Sequence, residues 1–434
     1  MYKLFFITFG CKVNQYETEC MKTAFQKNGF EISGKPDSAD AIIINSCTVT
    51  EYGDNDVLST LRKMRKKFPD TIIALTGCYP QAEKSAEKLS DADIVTGTKN
   101  RSGIVQLVTE CLENHERKIF IPEYSRNDIF ENLDFPAFEN NTRTFMKIQD
   151  GCNQFCTYCI IPYARGRCRS RPLESVRAEA ENSARMGKKE IVLTGINLAF
   201  YGAEYGIDLA DAVEVCSTVD GIERIRLGSL EPEKMSDNLL ERLSAVPELC
   251  PQFHLSLQSG CDRTLKAMNR HYTSGEYYEL TRKIRSYFPE CSFTTDVMVG
   301  FPNETDEDFR KSVEFVRKIG FSRVHVFRYS RRKGTPADRM SGQIPEHIKT
   351  ARSAEMIEVT EKMRAEYMHS LVGKTVKVLF ERENCTDFHR GYSADYTLIK
   401  IPCENSEKSL RNQIFYVTIE ESHSDFCTGR IVSE

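Results

Sequence analysis

The sequence predicts an α/β chain of three units: an open parallel sheet, then a second β/α unit of six repeats, then a small antiparallel β-barrel. Three observations predict it. Over the first hundred residues, short apolar stretches rich in β-branched residues alternate with helical periodicity, the mark of a βαβ series. The same alternation recurs six times between residues 144 and 327. From about Gly373 onward only short β stretches remain, the pattern of a small barrel.

In the first unit, residues 3–9, 41–45 and 71–76 are predicted as buried parallel strands, because continuous apolar runs suit a sheet covered on both faces. Residues 16–29, 53–68 and 81–90 are predicted as the intervening helices. A polar stretch from Leu112 to Asn141, with Pro122 and Pro136, reads as a linker. Six strands follow, at 144–148, 190–194, 224–228, 253–257, 293–299 and 323–327. The last unit is expected to use strands at 375–380, 396–401, 413–420 and 427–432. The units are placed at 1–115, 138–370 and 371–434, with 116–137 as linker.

The 434 residues carry a net charge of −4, so any nucleic-acid surface must be local. Met1 to Gly10 lacks the basic start and small-residue cleavage site of a secretory signal. No apolar run approaches the length of a membrane span. A soluble, reducing, cytoplasmic setting is expected, in which the sixteen cysteines are ligands or buried thiols, not disulfides.

Three of those cysteines lie in the run Gly151-Cys152-Asn153-Gln154-Phe155-Cys156-Thr157-Tyr158-Cys159. Three thiolates on one short loop, with no fourth ligand, can hold three corners of a 4Fe–4S cubane and leave one iron open. Structural zinc closes four positions with Cys or His, and no His is nearby. The remaining alternative is packing as small apolar groups. Three further cysteines, Cys11, Cys47 and Cys78, each fall two residues beyond a predicted strand of the first sheet. Strand carboxyl ends share one edge of a parallel sheet, so residues 36 and 31 positions apart can converge into a second trio. Gly10 and Gly77 would let backbone approach the bound group closely. Cys20 and Cys111 read as helix residues, Cys168 as a bystander, and His389, Cys385, Cys403 and Cys427 as too irregularly spaced for a metal.

The Cys152–Cys156–Cys159 spacing resembles the radical S-adenosylmethionine (SAM) signature. The stretches Thr8-Phe9-Gly10-Cys11-Lys12-Val13-Asn14-Gln15-Tyr16-Glu17-Thr18-Glu19, Asn45-Ser46-Cys47-Thr48-Val49-Thr50 and Thr76-Gly77-Cys78 resemble the amino-terminal domain of the methylthiotransferases. The stretch from Gly151 to Arg171 is most similar to the subgroup acting on threonylcarbamoyladenosine in tRNA. The resemblance runs over essentially the whole chain. It implies a Rossmann-like amino-terminal domain, a (β/α)6 partial barrel of radical SAM type and a carboxy-terminal TRAM barrel, an RNA-binding fold. Gly391-Tyr392-Ser393-Ala394-Asp395-Tyr396 carries the last of these, although eight Lys/Arg against ten Asp/Glu there give −2.

The resemblance also implies site residues. Cys11, Cys47, Cys78, Cys152, Cys156 and Cys159 would hold two 4Fe–4S clusters, and no catalytic residue beyond these ligands is expected. Tyr158 would lie beside the SAM adenine, and Thr194-Gly195-Ile196-Asn197 would contact the SAM amino group. Gln258 ends the fourth barrel strand, and Arg270 could pair with a carboxylate of SAM or a phosphate. The turn Gly300-Phe301-Pro302-Asn303-Glu304-Thr305 resembles one near the adenine, with Asn303 where the family has glycine. Outside the cysteines, a turn or helix-cap role is the alternative for each. Six basic residues from Arg143 to Arg171, and the run from Arg328 to Lys333, suit phosphate neutralisation, or else a solvated charged face.

The implied reaction is sulfur insertion at C2 of the modified adenine next to the anticodon, where the base is already single-stranded. One cluster would donate an electron to SAM, giving methionine and a 5′-deoxyadenosyl radical. The other would hold or provide sulfur, and a second SAM the methyl group. Expected partners are the tRNA, an electron donor such as flavodoxin or ferredoxin, and a sulfur source. The alternatives are the same chemistry on isopentenyladenosine or on a ribosomal-protein aspartate, or a non-catalytic iron–sulfur RNA-binding protein.

Overall fold

The structure, a computed structural model, describes all residues except 84, 86, 137–140, 382–387, 404–408 and 433–434. The first unit runs β1 (Lys3–Thr8), α1 (Lys12–Lys27), β2 (Glu31–Ile32), β3 (Ala41–Ser46), α2 (Glu51–Lys67), β4 (Ile72–Gly77), α3 (Cys78–Ala82), β5 (Ile94–Thr96), α4 (Ile104–Asn114) and β6 (Lys118–Phe120). Its six strands are all parallel, in the order β2-β1-β3-β4-β5-β6. Every residue of β3 and β4 is buried, as both faces of this sheet are covered by separate apolar clusters.

Two expectations change here. Among the described residues of the predicted helix over 81–90, only Gln81 and Ala82 are helical, closing a single turn, Cys78–Ala82, that begins directly after Gly77. Gly77 has φ +103°, which swings the chain out of β4, and Glu83 returns to extended backbone. Segment 116–137, expected as linker, supplies β6: Arg117 donates to the carbonyls of Leu89 and Ala92 and so seats the next residues beside β5.

The middle unit runs β7 (Arg143–Lys147), β8 (Gln149–Asp150), α5 (Ile161–Arg165), β9 (Arg169–Ser170), α6 (Leu173–Arg185), β10 (Glu190–Thr194), α7 (Leu209–Ser217), β11 (Arg224–Leu227), β12 (Ser229–Leu230) and α8 (Asp237–Ser244). It continues through β13 (Gln252–Leu255), α9 (Asp262–Ala267), α10 (Ser274–Tyr287), β14 (Ser292–Val299), α11 (Asp306–Ile319), β15 (Arg323–Arg328) and α12 (Glu346–His369). Strands β7, β10 and β11 pair in parallel, as do β12, β13, β14 and β15. An isolated parallel bridge ties Ile225 of β11 to Leu249, in the segment leading into β13. The sequential order of the six main strands is that of a partial barrel.

The last unit, β16 (Thr375–Phe380), β17 (Phe388–Ser393), β18 (Leu398–Pro402), β19 (Ile414–Ser422) and β20 (Cys427–Ile431), is a closed barrel in the order β16-β17-β18-β20-β19. It has one more strand than expected, since Phe388–Ser393 pairs with β16 and β18. The expected antiparallel pattern is broken once, where β18 and β20 close the barrel in parallel. The turn from Tyr392 to Tyr396 docks on the middle unit. Arg224 donates to the carbonyls of Tyr392 and Ser393 at 3.0 and 2.8 Å, and Arg226 to that of Ala394 at 2.8 Å. Arg143 donates to the Tyr396 hydroxyl at 2.8 Å. Among the described residues, no helix is long and apolar enough to cross a membrane.

Candidate functional site

Strands β1, β3 and β4 are adjacent, with Thr8, Asn45 and Thr76 in register across them. Cys47 and Cys78 therefore follow directly from neighbouring strand ends, and Cys11 caps α1 just beyond the third. The side chain of Asn14 ties the loops together by donating to the carbonyls of Phe9 and Ser46, both at 2.9 Å. Ser46 in turn donates to the Thr76 carbonyl at 2.6 Å and accepts from the Tyr79 N–H at 3.3 Å. Two glycines allow the approach. A Cβ on Gly10 (φ +98°) would lie 2.6 Å from Cys47 Cβ, and one on Gly77 2.4 Å from the Ser46 carbonyl.

Cys11 is exposed, Cys47 half-buried and Cys78 buried. Burial, with the negative charge of Cys11, raises the Cys47 thiol. Burial pushes the Cys78 thiol up to about 12; Arg165 opposes this, while Cys47 and Cys11 add to it. Ionising one of these thiols therefore opposes ionising its neighbours. A buried thiol of this kind is deprotonated at neutral pH when a metal coordinates it.

The second trio sits on the loop between β8 and α5. Gly151 (φ +72°) packs against backbone, for a Cβ there would lie 1.9 Å from the Arg167 carbonyl. The loop is fixed from several sides. Cys152 N–H donates to the Gly166 carbonyl at 3.1 Å, Thr157 N–H to that of Met268 at 3.0 Å, and Asn269 Nδ2 to those of Gln154 and Phe155 at 3.2 Å. Phe155 is held in the left-handed region at φ +48°, a strained conformation for a bulky residue that the surroundings must enforce. Burial raises both Cys152 and Cys159, and the charge of Cys156 raises them further.

Of the residues predicted to bind a cofactor, Asn197 and Arg270 touch this trio. Asn197 Nδ2 lies 3.5 Å from Cys152 Sγ, and Arg270 Nη1 3.3 Å from Cys156 Sγ. Arg270 is also paired with Glu231. Among the described residues Asn197 Oδ1 is buried without a hydrogen-bond partner, an orphaned acceptor beside the cysteine loop. Thr194 ends β10, and Gly195 abuts Gln149, whose Oε1 accepts from the Asn197 N–H at 2.7 Å. Tyr158, on the loop itself, meets Phe301 edge-on at 6.5 Å. Asn303 takes φ +63°, the left-handed backbone its position requires. Gln258 (φ +65°) is tied instead to β14, through Asp296 and Met298.

The first basic segment is corrected. Of the six cations from Arg143 to Arg171, only Arg167 is exposed. Arg143 pairs with Glu190 at 3.0 Å and Arg171 with Glu179. Lys147, Arg165 and Arg169 converge on buried Asp150, and Lys147 and Arg165 also on Glu17 of α1. In the second run Arg328 pairs with Glu346, Arg331 with Asp338 and Arg332 with Asp54. The first run and Arg332 brace units together, whereas Arg328, Arg331 and Lys333 stay exposed. Sequence could not distinguish the two, because a buried ion pair and a solvated charge use the same residue types.

The junction network was not foreseen. Glu17 accepts from Arg165 twice at 2.9 Å and from Lys147 at 2.7 Å, and pairs ionically with Arg101 at 2.9 Å. Burial alone would raise its carboxyl, but Arg101, Arg165 and Lys147 hold it down to about 2. Four buried cations thus face two carboxylates, Glu17 and Asp150, a surplus that thiolates beside Arg165 would offset. Three thiols, a cationic wall and glycine-lined approach fit an iron–sulfur cluster. Among the described residues no three His, Cys, Asp or Glu side chains close on one point as ligands of a single ion do; a cubane instead takes each thiolate on a different iron. The signal that could have revealed Glu17 and Asn14 lies in the stretch from Gly10 to Glu19, where both sit on the buried face of α1.

Cys168 lies near Cys152, its thiol directed at the Gly151 carbonyl at 3.8 Å. Cys20 and Cys111 are buried helix residues. Cys427 is part of the third unit's core, His389 is buried, and Cys385 lies outside the described residues.

Residues 146–316 match the Radical SAM superfamily, and residues 3–97 match a family described as Uncharacterized protein family UPF0004. A threonylcarbamoyladenosine tRNA methylthiotransferase MtaB of Aquifex aeolicus is 38% identical over 88% of this chain and 93% of its own. The Bacillus subtilis protein of that name is 36% identical over 98% and 96%. A tRNA-2-methylthio-N(6)-dimethylallyladenosine synthase of Pelotomaculum thermopropionicum is 38% identical over 88% and 87%. Among solved structures, the radical S-adenosylmethionine methyltransferase TsrM of Kitasatospora setae superposes with a TM-score of 0.59 at 12% identity, over 85% of this chain and 90% of its own. That likeness is one of fold.

Proposed function

The chain belongs to the tRNA methylthiotransferases of the radical SAM superfamily, and from that premise we propose that it methylthiolates C2 of N6-threonylcarbamoyladenosine beside the anticodon. Enzymes of this family use SAM and 4Fe–4S clusters. The observation that supports the site assignment is that one buried ionic junction reaches both cysteine segments: Arg165 touches Cys78, and Asp150, paired with Arg165, accepts from the N–H of Gly151 beside Cys152. We assign Cys152, Cys156 and Cys159 to the cluster that binds SAM, and Cys11, Cys47 and Cys78 to a second cluster that holds or provides sulfur.

When bound, these groups supply the radical chemistry that an unactivated ring C–H demands and no side chain provides. The protein's own residues position them. Asn197 Oδ1, buried and unpartnered, is the acceptor we assign to the SAM amino group. Arg270 offers its guanidinium beside Cys156 to a carboxylate. Tyr158, braced by Phe301, is assigned to the adenine face, with Thr194 and Gly195 shaping the adjoining wall. Gln258 belongs to the same strand-end rim. Of the rest of the reading, an external electron donor such as flavodoxin or ferredoxin, an external sulfur source and a cytoplasmic setting complete it.

The threonylcarbamoyl substrate is favoured by the MtaB relatives, which match over most of both chains. Relatives named for dimethylallyladenosine match nearly as well, so the base is decided by experiment. Mass spectrometry of tRNA nucleosides from a deletion strain should show loss of 2-methylthio-N6-threonylcarbamoyladenosine, restored by the gene. Unchanged levels of that nucleoside, with loss of the isopentenyl analogue, would transfer the assignment. A non-catalytic iron–sulfur protein would form no 5′-deoxyadenosine on reduction with SAM; the enzyme should form it and lose it in Cys156→Ala.

A further inference from the structure

We propose that Arg165 is a positioning residue: it fixes the Cys78 sulfur and sets the reduction potential of the group on Cys11, Cys47 and Cys78. This rests on the reading that those cysteines hold an iron–sulfur cluster. Arg165 is fully buried, and its guanidinium has five N–H donors in a rigid fork. All five are engaged. Nη1 donates to Glu17 Oε1 at 2.9 Å and Asp150 Oδ1 at 3.1 Å, and Nη2 to Asn14 Oδ1 at 2.7 Å and Glu17 Oε2 at 2.9 Å. The remaining donor, Nε–H, points to Cys78 Sγ at 3.3 Å. A side chain held at four points cannot turn away from the fifth.

Its place in the chain adds a second role. Arg165 closes α5, six residues after Cys159, and the next residue, Gly166, accepts from the Cys152 N–H at 3.1 Å. One short segment therefore fixes a ligand loop of one trio and touches a sulfur of the other. The second trio has its own counterpart, Arg270 beside Cys156, so each site carries one buried guanidinium against one sulfur.

Hydrogen bonds and charge at a cluster's sulfurs set its potential. Reduction adds negative charge, which a guanidinium stabilises, so Arg165 should raise the potential. Lysine would keep a charge for Glu17 and Asp150 but lose the fork that reaches sulfur. Glu17→Gln does the reverse, removing a buried negative charge while leaving Arg165 aimed at Cys78.

The test uses the full chain carrying Cys152→Ala, Cys156→Ala and Cys159→Ala, reconstituted anaerobically, with iron content and a redox titration followed by electron paramagnetic resonance. Arg165→Lys should retain iron and shift to lower potential, with the ratio of reduced to oxidised cluster at fixed potential falling about tenfold, equivalent to about 59 mV for one electron. Glu17→Gln should shift upward. Shifts of opposite sign support the proposal, and where one variant alone loads, its sign decides. Equal potentials, shifts of one sign, or loss of iron from both would overturn it in favour of simple bracing. A parent chain that binds no iron would instead remove the cluster reading on which the proposal rests.

Discussion

Arg332, beyond the last barrel strand, places Nη2 2.7 Å from Asp54 Oδ2, on the helix that follows Cys47. The same nitrogen donates to Thr48 Oγ1 at 2.7 Å, and Thr48 donates to Asp54 Oδ1 at 2.8 Å. Burial raises the Asp54 carboxyl and Arg332 counteracts it. Removing one partner of a largely buried pair leaves an uncompensated charge. Arg332→Met should therefore destabilise the junction by about 3 kcal/mol, lowering the apparent unfolding temperature and opening the chain to limited proteolysis. Arg332→Met with Asp54→Leu should recover most of the loss.

Gly10→Ala should damage one trio and spare the other. The new methyl would strike the Cys47 side chain and also face a left-handed backbone, a strain on the order of 1–3 kcal/mol. Reconstituted protein should lose iron from the early trio and fail to thiolate tRNA. It should still cleave SAM, because the Cys152 loop is untouched. Full iron content with normal product would contradict the packing described for Gly10.

Glu190 gives a pH signature. Burial would raise its carboxyl, but Arg226, Arg143 and Arg224 hold it at about 2. A carboxyl depressed on folding contributes stability that is complete above its unfolded value and fades as pH falls through the folded one. Its share, about 3 kcal/mol, should be present at pH 6 and shrink between about pH 5 and pH 2. Glu190→Gln should accordingly be less stable than the parent at pH 6, with the gap closing on acidification in denaturant titrations.

Cutting the chain after Ser370 should weaken the barrel as well as remove a domain. Arg224 and Arg226 would lose the carbonyls of Tyr392, Ser393 and Ala394, and Arg143 the Tyr396 hydroxyl. Hydrogen bonds from charged groups are worth about 1.5–3 kcal/mol each, so a clear fall in apparent unfolding temperature is expected. An unchanged melt would mean that the docking turn is energetically neutral.

Sequence carried the strand-and-helix alternation, because periodicity is local, and with it the placement of Cys11, Cys47 and Cys78 at three neighbouring strand ends. It missed what depends on side-chain direction. Glu17 and Arg165 look like surface charges until α1 is seen turning one face onto β7 and the other trio's loop. The Phe388–Ser393 strand was hidden because Gly391 and Ser393 are turn formers; in the barrel Gly391 is required, since a Cβ there would meet the Leu379 carbonyl at 2.7 Å. The helix expected over 81–90 failed for a comparable reason: apolar spacing suited it, yet Gly77 starts the turn early and Glu83 ends it.

The shared ions between Glu17, Arg165, Lys147 and Asp150 have an evolutionary consequence. Neither the parallel sheet nor the barrel could be exchanged for a foreign counterpart without stranding buried charge on the half left behind. Recombination between relatives should respect that seam, and chimeras cut at residues 116–137 should need compatible α1 and α5 segments to fold.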